Sequence, residues 1–263
     1  MKATADAASA DPACCVLIPC LNEARAIRGV IASVLALGYP VMVVDDGSDD
    51  GTPNIVAALP VTLIRHPQRR GKGEALRTGF RAALKHGYDG VVSMDGDGQH
   101  VAEDIPRLLA AARRYPNHIV SGARLRHRER QPNYRRRAND FADWGISWAA
   151  GQCLVDTQCG QRYYPRAALE LADIKSGGFA FETDILIEAA LQRGVRVASV
   201  PIESRYLGDM RLSHFRPVRD FSRITARVVW RILRAGLMRD HLRQIRDQQP
   251  LIYDPEHETD AHG

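Results

Sequence analysis

The sequence predicts an α/β protein: a single domain on an open, mostly parallel sheet flanked by helices, with an amphipathic helical extension towards its C-terminus. Three observations carry this. Short apolar runs alternate with segments of helical period, the pattern of βαβ units. Cys14–Ile18 and Val41–Val44 are apolar at every position, as strands covered on both faces are. Two acidic pairs, Asp45/Asp46 and Asp95/Asp97, end such runs, and open α/β sheets bind ligands beyond the carboxyl ends of their strands.

Taken in order, residues 1–12 are expected to be disordered, and they lack the continuous apolar core of a secretory signal. The domain is expected over 13–218. Cys14–Ile18 is the first strand, ended by Pro19, with Asn22 as helix N-cap and Glu23 in the first turn. Ile27, Val30, Ile31, Val34 and Leu35 give that helix one apolar face, and Gly38–Pro40 stop it. Val41–Val44 is the second strand, followed by DDGSDDGT and a helix from about Thr52–Pro53. Val61–Ile64 is the third strand. In HPQRRGKGEALRTGF, Leu76, Phe80, Ala83 and Leu84 share a helical face. Arg69, Arg70, Gly71, Lys72 and Gly73 stand at its N-terminus, where free N–H groups favour an anion. The Walker spacing is missing, so a phosphate role and a solvated basic loop stand level.

Val91–Met94 is a strand running straight into Asp95 and Asp97, with Gln99 and His100 next. Paired carboxylates with open positions beside them suit Mg²⁺ or Mn²⁺ carrying a phosphate-bearing substrate, and Gln99 or His100 can add a further contact. The bland alternative is an Asp-Gly turn, and the acids' repeated position at strand ends weighs against it. Glu103–Tyr115 is a helix and Ile119–Ala123 a strand. Arg124–Arg137 is a charge run, either a solvated loop or a grip on an anionic acceptor or lipid headgroups. Gln152–Tyr164 is expected as a polar loop. Phe179–Ala190 is a helix with Glu182 and Asp184 at its start and Ile185, Ile187 and Leu191 inward. Val195–Ile202 is the last strand.

Residues 219–246 form one long helical pattern. Phe221, Ile224, Val228, Ile232 and Leu233 make an apolar stripe, and Arg223, Arg227, Arg231 and Arg234 a basic one. A helix lying in a membrane interface has this profile. Packing on the main domain or on a second subunit accounts for it nearly as well. From Asp247 the tail is expected to be disordered.

The 263 residues carry a net charge of +5, which favours an anionic partner. Nucleic acid is excluded as that partner, because no finger, basic-zipper or RNA-sheet signature is present. Five cysteines form no CxxC pair and no zinc spacing, and a reducing cytoplasm suits them best. No window has the ~20 apolar residues of a spanning helix.

These motifs resemble family 2 glycosyltransferases of the GT-A fold. IPCLNE (Ile18–Glu23) is similar to the family's opening strand and turn, VVDDGSDDGT (Val43–Thr52) to its nucleotide-binding turn, and MDGDGQH (Met94–His100) to its metal-binding DXD segment. Within the family the likeness is closest to polyprenyl- or dolichyl-phosphate sugar synthases. Gly122–Arg124 and Arg135–Arg137 stand where those enzymes grip the lipid phosphate, and DTQCGQRYY (Asp156–Tyr164) looks like their Asp-x-x-x-Gly-x-Arg loop.

The resemblance implies a metal-dependent, inverting hexosyltransferase. The donor, of GDP-mannose or UDP-glucose type, would lie on Pro19, Asn22, Glu23, Asp45, Asp46, Gly71, Lys72 and Asp95. The metal would be held by Asp95 and Asp97 with Gln99 beside them. The acceptor phosphate would meet Arg124 and one or more of Arg135, Arg136 and Arg137. Arg162 or groups near Lys72 would stabilise the leaving diphosphate. The expected place is the cytoplasmic face of the membrane, and a homo-oligomer stays open. FETD (Phe181–Asp184) also resembles the acidic motif of members that use hydroxyl acceptors, where Asp184 or Glu182 would be the base. The other rivals are nucleotidyl transfer and a non-catalytic nucleotide-sugar-binding subunit.

Overall fold

Seven strands form one sheet in a computed structural model that describes residues 13–126, 133–174, 176, 180–202 and 217–254. They are β1 (Cys14–Cys20), β2 (Val41–Asp45), β3 (Thr62–Arg65), β4 (Gly90–Ser93), β5 (Ile119–Ala123), β6 (Arg162–Pro165) and β7 (Val197–Pro201). Their order is β3-β2-β1-β4-β6-β5-β7. All neighbours are parallel except β6, which runs antiparallel between β4 and β5.

The β1 residues show why every position is apolar. Cys15 and Leu17 enter one core layer, with Met42, Val44 and helix α3 (Lys72–Lys85). Val16 and Ile18 enter the other, with Val43 and helices α1 (Ile27–Ala36), α2 (Thr52–Ala57) and α4 (Ile105–Arg114). The first layer also takes in α5 (Asn133–Ala150), α6 (Arg166–Leu169), α7 (Ala180–Arg193) and α8 (Pro217–Arg234). Gly79 lets α3 lie against β1: a Cβ there would come 2.3 Å from Leu17 Cδ1.

Several expectations are corrected. The supposed loop Gln152–Tyr164 ends in β6, whose Tyr163 and Tyr164 point into opposite core layers, the period-2 pattern of a strand. Asn22 is not an N-cap; its φ is +58° and α1 begins only at Ile27. Arg135–Arg137 lie on α5, not in a loop. Leu191 is 43% exposed, because Leu186 and Ala189 occupy the inner face of α7 with Ile185 and Ile187. The single C-terminal helix is two, α8 and α9 (Arg239–Arg246), broken where Gly236, Leu237 and Met238 all have positive φ.

Part of the tail is ordered as well. Leu251 and Tyr253 pair with Ser199 along the open edge of β7, whose N–H and C=O would otherwise face solvent. Asp254 then pairs with Arg107 at 3.3 Å and Arg126 at 3.7 Å. Residues 1–12 and 255–263, expected to be disordered, lie outside the described residues.

Candidate active site

The carboxyl ends of β1, β2, β4 and β5 open on one edge of the sheet. Because β6 is antiparallel, the loop before it comes to the same edge, and Ser93 pairs with Arg162 there. Loops from distant parts of the sequence therefore converge.

After β1 and β2, side chains of one loop hold the backbone of the other. Asn22 N donates to Ser48 Oγ at 2.9 Å, Glu23 N to Thr52 Oγ1 at 2.8 Å and Ala24 N to Asp50 Oδ2 at 3.2 Å. Asp49 N returns a bond to Asn22 Oδ1. Burial works against the Asp50 carboxylate, but the bonds from Thr52 and Ala24 outweigh it and hold its pKa below the usual range.

Asp45 and Asp46 face inward. Asp45 accepts from Ser48 N and Ser48 Oγ and has Arg65 Nε at 3.1 Å. Asp46 accepts from Arg70 N at 2.9 Å and Gly71 N at 2.7 Å, and His66 Nδ1 lies 2.8 Å from it. The basic loop 66–71 is thus tied to the end of β2, over Gly47, whose Cβ would strike Arg69 N at 2.7 Å. Both acids shape the site through the loops they hold.

The second acidic pair behaves differently. Lys72, on the first turn of α3, puts Nζ 2.7 Å from Asp95 Oδ1 and 3.1 Å from Glu182 Oε2. Burial raises the pKa of Asp95, but the Lys72 ammonium outweighs it, with His100 and Arg162 adding to the effect, and keeps it below the ordinary range. Asp97 goes the other way, raised by burial and by the charge of Asp95. Lys72 is held charged by the two carboxylates against the cost of burial. Burial lowers the pKa of His100, favouring the neutral ring, and Asp95 N donates to its Nδ1 at 3.2 Å. Gln99 meets Asp97 through its backbone N–H, at 2.9 Å.

A loop closes over these acids. A Cβ on Gly160 would fall 2.7 Å from Asp95 Oδ2 and 3.1 Å from Lys72 Nζ, so only glycine lets the loop pass so close. Asp143 of α5 holds that loop, accepting from Asp156 N, Thr157 N and Thr157 Oγ1. Asp156, at φ +46°, accepts a two-pronged contact from Arg124 at 2.8 and 2.6 Å and a third bond from the Arg124 backbone.

Sequence reasoning missed Ser48, Asp50, Thr52, His66 and Asp143. Thr52 and Asp50 lay within a motif already singled out, but nothing local announced His66 or Asp143.

The structure gives the expected site residues these surroundings. Arg162 is 1% exposed and bonds Thr157 O, Glu182 O, Ser121 Oγ and Tyr164 OH, so it braces the site from beneath. Arg124 is committed to Asp156. Arg136 is half-buried and Arg137 exposed on α5, while the side chain of Arg135 lies outside the described residues. The two candidate bases part company. Glu182 meets Lys72, which also meets Asp95, whereas Asp184 points to α8, with Arg227 Nε at 2.6 Å and Arg231 Nη2 at 3.9 Å.

Asp95 and Asp97 suit a divalent cation. Burial and the neighbouring charge of Asp95 both work against the Asp97 carboxylate, a cost a bound cation would offset, and hard carboxylate oxygens match Mg²⁺ or Mn²⁺. Among the described residues no group of three His, Cys, Asp or Glu side chains is arranged to hold a metal ion.

A mostly parallel sheet of this order, with carboxylates gathered at its carboxyl edge, has the architecture of the GT-A fold. The chain belongs to glycosyl transferase family 2, whose family model matches residues 15–176. It is 36% identical to the undecaprenyl-phosphate mannosyltransferase of Micrococcus luteus over 197 residues, 66% of this chain and 75% of that one. It is 31% identical to the polyprenol monophosphomannose synthase of Mycolicibacterium smegmatis over 216 residues, 75% of this chain and 80% of that one. The fold is shared with glucosyl-3-phosphoglycerate synthase from Mycobacterium tuberculosis, solved with Mn²⁺, UDP and phosphoglyceric acid. There the TM-score is 0.64 at 22% identity, over 85% of this chain and 78% of that one.

Proposed function

We propose that this glycosyltransferase moves a hexose from a nucleoside diphosphate sugar, of GDP-mannose or UDP-glucose type, to a polyprenyl-phosphate-type lipid, with inversion. The observation that carries the acceptor class is the state of the two candidate bases. Arg227 and Arg231 neutralise Asp184, and Lys72 neutralises Glu182. A hydroxyl acceptor needs a free carboxylate to take its proton. A phosphate monoester is already ionised near neutral pH and needs only to be placed. The two named relatives, both called after polyprenyl-phosphate mannose transfer, support the same reading.

Asp95 and Asp97 would hold Mg²⁺ or Mn²⁺, which when bound offsets charge on the leaving diphosphate. The loops tied together by Asn22, Ser48 and Asp50, with the loop anchored on Asp46, form the walls of the donor cleft. The loop from Asp156 to Gly160 covers the cleft and keeps water from the anomeric carbon. Arg136 and Arg137 present cations on α5 to the arriving lipid phosphate, and Lys72 supplies positive charge beside the departing oxygens.

The lipid requires an interface. The stripe Ile224, Val228 and Ile232 is buried against the protein, so it cannot be the membrane face. The outward side of α8 is apolar too: Val229, Trp230 and Leu233 are 46%, 65% and 55% exposed. On α5, Phe141 and Trp144 are also exposed, with ring centroids 6.1 Å apart. Among the described residues no helix is long and apolar enough to cross a membrane. We assign the outward face of α8 to peripheral contact with the cytoplasmic leaflet.

The test is a donor screen with polyprenyl phosphate, first in detergent and then in vesicles. Transfer should require Mg²⁺ or Mn²⁺ and vanish in Asp97→Ala. Trp230→Ser should weaken vesicle sedimentation while sparing turnover in detergent. Donor hydrolysis without transfer to the lipid would refute the phosphate acceptor and return the hydroxyl reading.

A further inference from the structure

Lys72 occupies an unusual place for a basic residue next to a cation site. Its ammonium is in direct contact with Asp95, one of the two acids that the reading above gives to the metal, and with Glu182 on a different element. The three side chains are mostly buried, with Lys72 20%, Asp95 27% and Glu182 14% exposed. Gly160 lies directly above, so the cluster is closed on that side by backbone. An ammonium at 2.7 Å from Asp95 Oδ1 takes the position that a divalent cation would use on that oxygen. Two cations crowded on one partly buried carboxylate repel each other.

We propose that Lys72 is a built-in counter-ion that keeps Asp95 closed to a divalent cation until a nucleoside diphosphate arrives. The inference rests on Asp95 and Asp97 being the cation site. Glu182 gives it a mechanism. When Asp95 is released, Lys72 keeps its contact with Glu182, so its charge is not stranded in a buried place. The diphosphate supplies the negative charge that lets ammonium and divalent cation sit side by side. Without it, the cation must compete with a residue already in position. Cation and diphosphate therefore strengthen each other's binding, and the coupling runs equally in both directions.

The experiment is a Mn²⁺ titration of the full chain by electron paramagnetic resonance, alone and with saturating UDP or GDP as the probe diphosphate. In the unaltered protein, the diphosphate should tighten Mn²⁺ binding at least about tenfold, the scale of one charge-assisted hydrogen bond. Lys72→Met should bind Mn²⁺ about tenfold more tightly without diphosphate and lose most of the enhancement. Arg81→Met is the control for a general field effect. Its side chain, further along α3, is 51% exposed and faces Asp173, so it should change neither value.

Glu182→Gln, which removes the second seat and leaves Lys72 on Asp95 alone, should weaken diphosphate-free binding. It gives a second reading if Lys72→Met fails to fold by circular dichroism. Unchanged or weaker diphosphate-free binding in folded Lys72→Met, or an equal gain in Arg81→Met, would overturn the counter-ion role and leave the transfer reading intact. Unaltered Mn²⁺ binding in Asp97→Ala would instead overturn the cation site itself, and the proposal with it.

Discussion

Asp184→Asn separates the two acceptor classes. The substitution keeps the side chain's volume and removes its charge, so what it disturbs is the ion pair between α7 and α8. Breaking a fully buried pair costs about 3–5 kcal/mol, and an exposed one about 0–1 kcal/mol. Here the carboxylate is 3% exposed but Arg227 is 42% exposed and can turn to water. The expected cost is therefore intermediate, about 1–2 kcal/mol, or a fall in Tm of about 3–6 °C for a chain of this size. Transfer to polyprenyl phosphate in detergent should drop less than about threefold, because Asp184 points away from Lys72 and Asp95. Urea and thermal melts with initial rates on the same preparation provide the assay. A loss of more than about a hundredfold with an unshifted melt would place Asp184 at the reacting atoms and refute the reasoning.

Gly160→Ala should leave the fold intact but cut turnover strongly, because the added methyl meets Asp95 and Lys72 where the acids must stay free to rearrange. Unchanged kcat and KM would show that the loop stands further off during catalysis. The pKa of Asp156 is depressed: burial raises it, but the hydrogen bonds and charge of Arg124 more than offset this. A depressed carboxylate contributes stability above its unfolded pKa of about 3.9, and that contribution is lost as pH falls below about 4. Asp156→Asn should therefore lower the urea midpoint at neutral pH and flatten its decline under acid. An acid limb parallel to that of the unaltered protein would contradict the assignment.

Much of the sheet was legible because strands covered on both faces leave a nearly pure apolar signal, as in β1 and β2. The acids at their ends were legible for the same reason, since polar residues that abruptly end such a run mark the edge of the core. β6 was not. It is four residues long, and its antiparallel place between β4 and β5 is fixed by partners some 40 to 75 residues away. The site's framework was hidden by the same kind of distance. Asp46 meets His66, Asp143 meets Thr157, and Lys72 meets both Asp95 and Glu182. Residue types and local spacing identified the acids. Their neutralising partners depend on how the loops converge.

The C-terminal helix shows where pattern reasoning divides. Period alone establishes that Ile224, Val228 and Ile232 share a face, but any apolar neighbour can cover that face. The decisive information lies on α7, where Asp184 and Glu188 are four residues apart and match Arg227 and Arg231, also four apart, with contacts at 2.6 and 2.5 Å. One turn of acids set against one turn of arginines fixes the register of the two helices and turns half of the basic stripe inward. That pairing rotates the buried stripe onto the core and leaves Val229, Trp230 and Leu233 outside. The electrostatic match that holds Asp184 against α8 thus also decides which apolar side chains of that helix stay outside.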